Sequence, residues 1–288
     1  MTLEEFLTAR RDAGRALLVP YVTGGVTPGW TDVVRAYADA GADAVEIGLP
    51  FSDPMLDGVT IQEASDRAIA GGTTVTRILA ELAALDVEVP LFAMTYSNLV
   101  FQRSAAAFCA ALRASGLRGL IVPDSPLEEV GELAGAAAAE GLDLALMAAP
   151  SSSPERLRAI AARSRGFVYA VTRMGTTGED GGISAEAARL GRDLTALTDR
   201  PVLFGFGVSD PARAAELARH ADGVVVASAL MRRLLDGAGP RELGEYVASI
   251  RRALDRPLDR EPDEQYAPLP RHRRRPDRQD PVGPLPRG

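Results

Sequence analysis

The sequence predicts an α/β fold, a (β/α)8 or TIM barrel, on three observations. Eight short apolar runs alternate with eight amphipathic segments, the signature of parallel β/α units. Runs such as Leu120-Ile121-Val122 and Val224-Val225-Val226 are apolar throughout, as strands covered on both faces require. The repeats are similar in length and no break in composition divides the 288 residues, and a barrel of roughly 250 residues folds around one core. An open, doubly wound eight-stranded sheet shares the first two features; the even repeat favours closure.

Taken in order, the strands are expected at 16–22, 44–48, 89–95, 119–122, 142–147, 167–171, 202–204 and 223–226. The helices are expected near 30–40, 74–85, 105–115, 126–140, 154–163, 185–197, 211–219 and 240–255. Ser153-Pro154 and Asp210-Pro211 each put a capping residue before a proline at the first helical position. Outside the repeats, residues 2–10 read as an extra helix plugging the N-terminal end of the barrel. From Pro257 onward lie eight of the twenty prolines and the run Arg271-His272-Arg273-Arg274-Arg275. Such a segment buries too little apolar surface to order itself, so residues 1–256 are expected to form one catalytic domain and 257–288 a disordered Pro/Arg-rich tail.

Composition narrows the chemistry. There is no lysine, so all 32 basic residues are arginine and a Schiff-base amine is excluded. Two histidines and the single Cys109 leave almost nothing for a zinc site, and no metal is expected. Acid–base work falls to carboxylates, tyrosines or water. The net charge of −7 argues against a nucleic-acid surface, and no apolar run reaches the ~20 residues of a membrane span. One cysteine and an acidic, amphipathic N-terminus fit a cytoplasmic protein.

In a barrel of this class the chemistry sits at the C-terminal ends of the strands. The second strand ends Ala44-Val45-Glu46-Ile47-Gly48; if its small residues face inward, Glu46 does too. A buried carboxylate costs free energy unless paired or protonated, and the structural alternative is a glutamate held by backbone amides. The following loop, Leu49 to Gly58, is long and rich in Pro, Asp and Gly, and brings Asp57. Asp57 reads either as a turn residue before Gly58 or as the partner of Glu46 in an acid–base pair. Phosphate handling is suggested by three successive loops: the glycine-rich 173–182, Gly205-Phe206-Gly207, and Ala227-Ser228 at the head of a short helical stretch.

These residues resemble the tryptophan synthase alpha chain family, over about 2–255. The most specific stretch is Glu46 to Pro54, followed by Asp57-Gly58 and Thr60-Ile61-Gln62. Tyr96-Ser97-Asn98, Pro123-Asp124-Ser125-Pro126, Ala149-Pro150, Gly166 to Tyr169 and Gly205-Phe206-Gly207 add to it. The resemblance implies retro-aldol cleavage of indole-3-glycerol phosphate to indole and glyceraldehyde 3-phosphate, without a cofactor in this chain. Glu46 would be the acid–base at indole C3 and the glycerol hydroxyl, with Asp57 facing the indole N–H. Tyr21 and Tyr169 would line the indole pocket, and Thr177 would close over substrate. Gly178, Phe206, Gly207, Ala227 and Ser228 fall at the phosphate end. Asp53, Asn98, Asp124 and Pro126 would meet a beta chain, in an alpha2beta2 assembly whose pyridoxal phosphate belongs to that partner.

The chain departs from the family pattern at Gly24 to Pro28, before Thr177, and at Ala227, where glycine is usual and an added methyl would narrow the approach of phosphate. Two other functions are compatible with the same residues: a stand-alone paralogous lyase releasing free indole for specialised metabolism, and a non-catalytic subunit that activates a partner.

Overall fold

The computed structural model describes residues 1–171, 184–205 and 207–256. Chain order begins α1 (Leu3–Asp12), β1 (Leu17–Thr23), α2 (Trp30–Asp39), β2 (Val45–Gly48), α3 (Val59–Ala70), α4 (Val75–Ala83) and β3 (Leu91–Met94). It continues with α5 (Ser97–Phe101), α6 (Ala105–Ala114), β4 (Gly119–Ile121), α7 (Gly131–Ala139), β5 (Asp143–Ala148), α8 (Pro154–Arg163) and β6 (Val168–Val171). The last elements are α9 (Ala185–Leu197), β7 (Val202–Gly205), α10 (Pro211–Leu217), β8 (Gly223–Val226), α11 (Ser228–Leu235) and α12 (Pro240–Leu254). The eight strands pair in sequence order, all parallel, and β8 returns to β1. The barrel is closed, and the open-sheet alternative falls.

Two apolar layers explain the closure. Leu17, Val19, Ala44, Phe92, Ile121, Ala145, Phe167, Leu203 and Val225 fill the interior. The alternate strand residues, among them Leu18, Val45, Ile47, Leu120, Val202 and Val224, pack outward against the helices. Uniform burial on both faces is why the strands read as continuous apolar runs. The first helix closes the bottom, as expected. Leu3 and Leu7 join the interior cluster, the Glu4 amide donates to the Asp143 carboxylate at 2.8 Å, and Glu4 bonds the Gly166 amide and the Arg200 guanidinium. Its start is fixed by a capping box in which Thr2 and Glu5 satisfy each other's backbone amides.

Observed strand ends lie within two residues of the expected ones. Three differences stand out. The helix expected from residue 126 begins only at Gly131, because 127–130 form a turn and the Glu129 amide bonds the Pro126 carbonyl at 2.9 Å. α3 and α5 were not anticipated as helices. In α3 the buried face is made of Ile61, Ala64, Ser65 and Ala68, residues too small to give a strong apolar period. The tail expected from Pro257 lies outside the described residues.

Candidate active site

Burial assigns the faces of β2. Ala44 belongs to the interior while Val45 and Ile47 belong to the outer layer, so alternation turns Glu46 inward, where it is 3% exposed. Among the described residues no amide or cation holds its carboxyl. Burial first, and the charge of Asp57 second, push its pKa up to about 8. A glutamate held by backbone amides would be driven the other way, so that alternative does not describe Glu46.

Asp57 is brought to the same place by the loop between β2 and α3. It is 6% exposed, and burial raises its pKa to about 6, with the Tyr96 phenol opposing the shift. At neutral pH the two acids therefore differ: Glu46 is mostly protonated and Asp57 mostly charged. Such division of protonation between neighbouring carboxyls is what proton transfer at a carbon needs.

Tyr21 and Tyr169 stand around this pair. Tyr21 is in register with Glu46 across the β1–β2 ladder, and its hydroxyl lies 3.1 Å from the Thr23 hydroxyl. Burial, then Asp57, raises the Tyr21 phenol well above its ordinary value; for Tyr169 the causes are burial, then Glu46 and Asp57. Both phenols remain neutral donors, and both feel the two carboxylates. Each ring crosses a glycine on the adjacent strand: a Cβ on Gly48 would lie 1.8 Å from the Tyr21 hydroxyl, and one on Gly205 would lie 1.9 Å from that of Tyr169.

Residues not singled out in the sequence complete the wall. Tyr96, at the head of α5, accepts a hydrogen bond from the Leu56 amide at 3.2 Å and stacks on Phe51 with ring centroids 5.2 Å apart. Gln62 on α3 donates to the Asp57 carbonyl at 2.8 Å. Both lie in stretches that carried the family resemblance, which was the only signal for them; their contacts are tertiary.

The phosphate end is partly described. Gly207 has φ +74°, a conformation glycine adopts readily, and it follows β7, the strand paired with β8. Ser228 opens α11, and the preceding Ala227 has φ −114° and ψ −75° with no side-chain cap. Those angles suit an L-residue, so the alanine introduces no left-handed strain. The free amides of that first turn can receive an anion. Thr177, Gly178 and Phe206 lie outside the described residues.

The expected partner residues lie in the loops and the short helix that follow β2, β3 and β4. Asp53, Asn98 and Pro126 are exposed, while Asp124 is half-buried and accepts from the Ser97 amide and hydroxyl at 2.9 and 3.1 Å. On the same rim Met55, Leu56, Val59 and Phe101 are exposed apolar side chains, Met55 at 80%. Among the described residues no group of three or more His, Cys, Asp or Glu is placed to hold a metal, and no helix is long and apolar enough to cross a membrane.

A closed parallel barrel with two buried carboxyls gathered at its C-terminal mouth has the build of a single-barrel enzyme. Comparison with known proteins gives the family. Residues 7–252 match the family model described as tryptophan synthase alpha chain. The tryptophan synthase alpha chain of Halorhodospira halophila is 42% identical, over 88% of this chain and 96% of that one. The alpha chain of a Picosynechococcus species is 39% identical, over 88% and 99%. A crystal structure of tryptophan synthase from M. tuberculosis superposes with a TM-score of 0.79 at 35% identity, covering 88% of this chain and 97% of that one. The chain belongs to the tryptophan synthase alpha chain family, and is thereby a carbon–carbon lyase of tryptophan biosynthesis.

Proposed function

We propose that this chain cleaves indole-3-glycerol phosphate to indole and glyceraldehyde 3-phosphate, with Glu46 and Asp57 as its catalytic residues. The observation that carries the reading is the pairing of two buried carboxyls, both raised, with Glu46 poised as the acid and Asp57 as the anion. Protonated Glu46 gives its proton to indole C3, and the ring becomes an indolenine cation. The Asp57 carboxylate, facing the ring N–H, steadies that positive charge. The Glu46 carboxylate then removes the proton of the hydroxyl on the adjacent side-chain carbon. The C–C bond breaks, its electron pair returns to the ring, and the oxygen becomes the aldehyde carbonyl. Glu46 ends protonated, ready for another cycle.

Tyr21 and Tyr169 form the walls against the indole faces. Phosphate sits on the amides at the head of α11, beside Ala227 and Ser228 and near Gly207 after β7; the family resemblance adds Gly178 and Phe206 to the phosphate-binding residues and has Thr177 close over substrate. A beta chain docks over Asp53, Asn98, Asp124 and Pro126, where exposed apolar side chains accompany them; the cofactor of the assembly, pyridoxal phosphate, is held by that partner. The chain works in the cytoplasm as one catalytic domain of residues 1–256. Retention of both carboxyls favours a catalytic subunit over a merely activating one, and the exposed apolar rim favours an obligate partner over stand-alone release of indole.

Indole release from indole-3-glycerol phosphate by the purified chain tests the reading directly. Turnover is expected to be slow alone and accelerated when a tryptophan synthase beta chain is added. No release in either condition overturns it.

A further inference from the structure

Asp57 sits on an exposed loop, yet its carboxyl must be placed to a fraction of an ångström. Pro54 and Asp57 are buried, but Met55 and Leu56 between them are 80% and 48% exposed, so packing does little to hold the tip of the turn. The Asp57 amide bonds the Pro54 carbonyl at 3.0 Å, closing a turn. That bond joins two ends of the same loop, so it sets the shape of the turn without fixing its position in the barrel.

Two side chains tie the turn to rigid elements. The Tyr96 hydroxyl accepts from the Leu56 amide, but the same phenol also acts on the Asp57 carboxyl, so its removal changes two things at once. Gln62 is different. Its amide nitrogen reaches back from the first turns of α3 to the Asp57 carbonyl at 2.8 Å, with a longer approach of 3.5 Å to the Pro54 carbonyl. One side chain thus holds both ends of the turn through backbone oxygens alone. α3 is in turn fastened to α11: Arg232 bonds Glu63 at 2.7 Å and Arg67 bonds the Leu235 carbonyl at 3.2 Å.

We infer that Gln62 is a positioning residue for this reaction, clamping the Pro54–Asp57 turn so that the Asp57 carboxylate faces the substrate. The inference rests on the catalytic reading of Asp57 given above. A leucine or methionine at 62 keeps the bulk and the helix but removes the donor, leaving the turn to sample positions in which Asp57 is misplaced. A displacement of about 1 Å at a catalytic group lowers rates by up to ~100-fold.

The experiment compares wild type, Q62L, Q62M, D57N and Q62M/D57N for indole release from indole-3-glycerol phosphate, with thermal melts of each. The expected result is a fall of about tenfold or more in kcat for Q62L and Q62M, KM within about twofold, and no further fall when Q62M is added to D57N. A simply structural glutamine would instead lower the melting temperature and the amount of active protein, and would act equally in both backgrounds. Wild-type kcat in Q62M, or the same fractional loss with and without Asp57, overturns the inference while leaving the role of Asp57 intact. If D57N itself turns over at the wild-type rate, the catalytic reading and this inference fall together. Should Q62L not fold, Q62M, with its unbranched helix-compatible side chain, supplies the same comparison.

Discussion

The Tyr21 ring occupies the space that a side chain on Gly48 would need: its hydroxyl, Cζ and Cε2 lie 1.8, 2.4 and 2.8 Å from where a Cβ would stand. Tyr21 itself is in register with Glu46, two residues earlier on the same strand as Gly48. The glycine therefore sets where the phenol lies across the mouth of the site. Changing Gly48 to alanine should push the ring off its contact with Thr23 and cost about 1–3 kcal/mol of stability, as overpacking usually does. Urea denaturation reads the stability, and indole release should fall by more than the loss of folded protein explains. Unchanged stability and activity in G48A would show that the ring has room to move.

The two raised carboxyls set the pH dependence of turnover. Activity needs Asp57 ionised and Glu46 protonated, so kcat should fall below pH about 6 and above pH about 8. Because each charge acts on the other group, the two limbs belong to the pair. E46Q and D57N should each lower indole release by roughly 100-fold or more, within the usual range for losing a general acid or its electrostatic partner. A flat profile between pH 5 and 9, or wild-type rates in both variants, would remove the carboxylates from the mechanism.

Glu46 also makes the fold itself sensitive to pH. Its carboxyl titrates near 4.5 when the chain is unfolded and near 8 when folded, so over that window the native state holds a proton that the unfolded state has released. Stability contributed by this group is therefore present at low pH and declines as pH rises from about 4.5 to about 8. Glutamine cannot ionise. E46Q should lose less stability than wild type between pH 5 and 8 and melt at a higher temperature at pH 8. Parallel melting curves against pH for the two proteins would contradict the burial argument.

How far the sequence could go is clear from particular residues. Glu46 was legible because small residues flank it at positions 44 and 48, and period-two alternation then decides which way it points. Asp57 was legible only in part: Asp-Gly also marks a turn, and the residue does close one while its carboxyl is buried beside Glu46. Tyr96 and Gln62 gave no local signal. The first meets Leu56 across forty positions of chain, and the second acts through backbone carbonyls, which no side-chain pattern encodes. The helix α3 escaped for a related reason: Val59, exposed at 70%, and a buried stripe containing serine and alanines blur the helical period.

At the opposite end of the barrel, a buried charge cluster gives a prediction about stability alone. Asp43, fully buried before β2, accepts from the Leu18 amide at 2.9 Å, from Arg15 at 2.7 Å and from Arg251 at 3.2 Å. Arg251 also bonds the Ala16 carbonyl at 2.8 Å, so this one carboxylate ties α12 to the start of the first two strands. Neutralising it in D43N keeps the shape but takes from Arg251, 6% exposed, its buried counter-charge and leaves it only the half-exposed Asp255 at 2.7 Å. Breaking one side of a buried pair costs about 3–5 kcal/mol. Asp43 lies at the N-terminal side of β2, whereas Glu46 and Asp57 gather at its C-terminal side, so the D43N protein that remains folded should release indole at the wild-type rate per active molecule. Urea midpoints and single-turnover rates measured on the same samples separate the two effects. A loss of chemistry without a loss of stability would mean that the base of the barrel communicates with the site in a way this geometry does not provide.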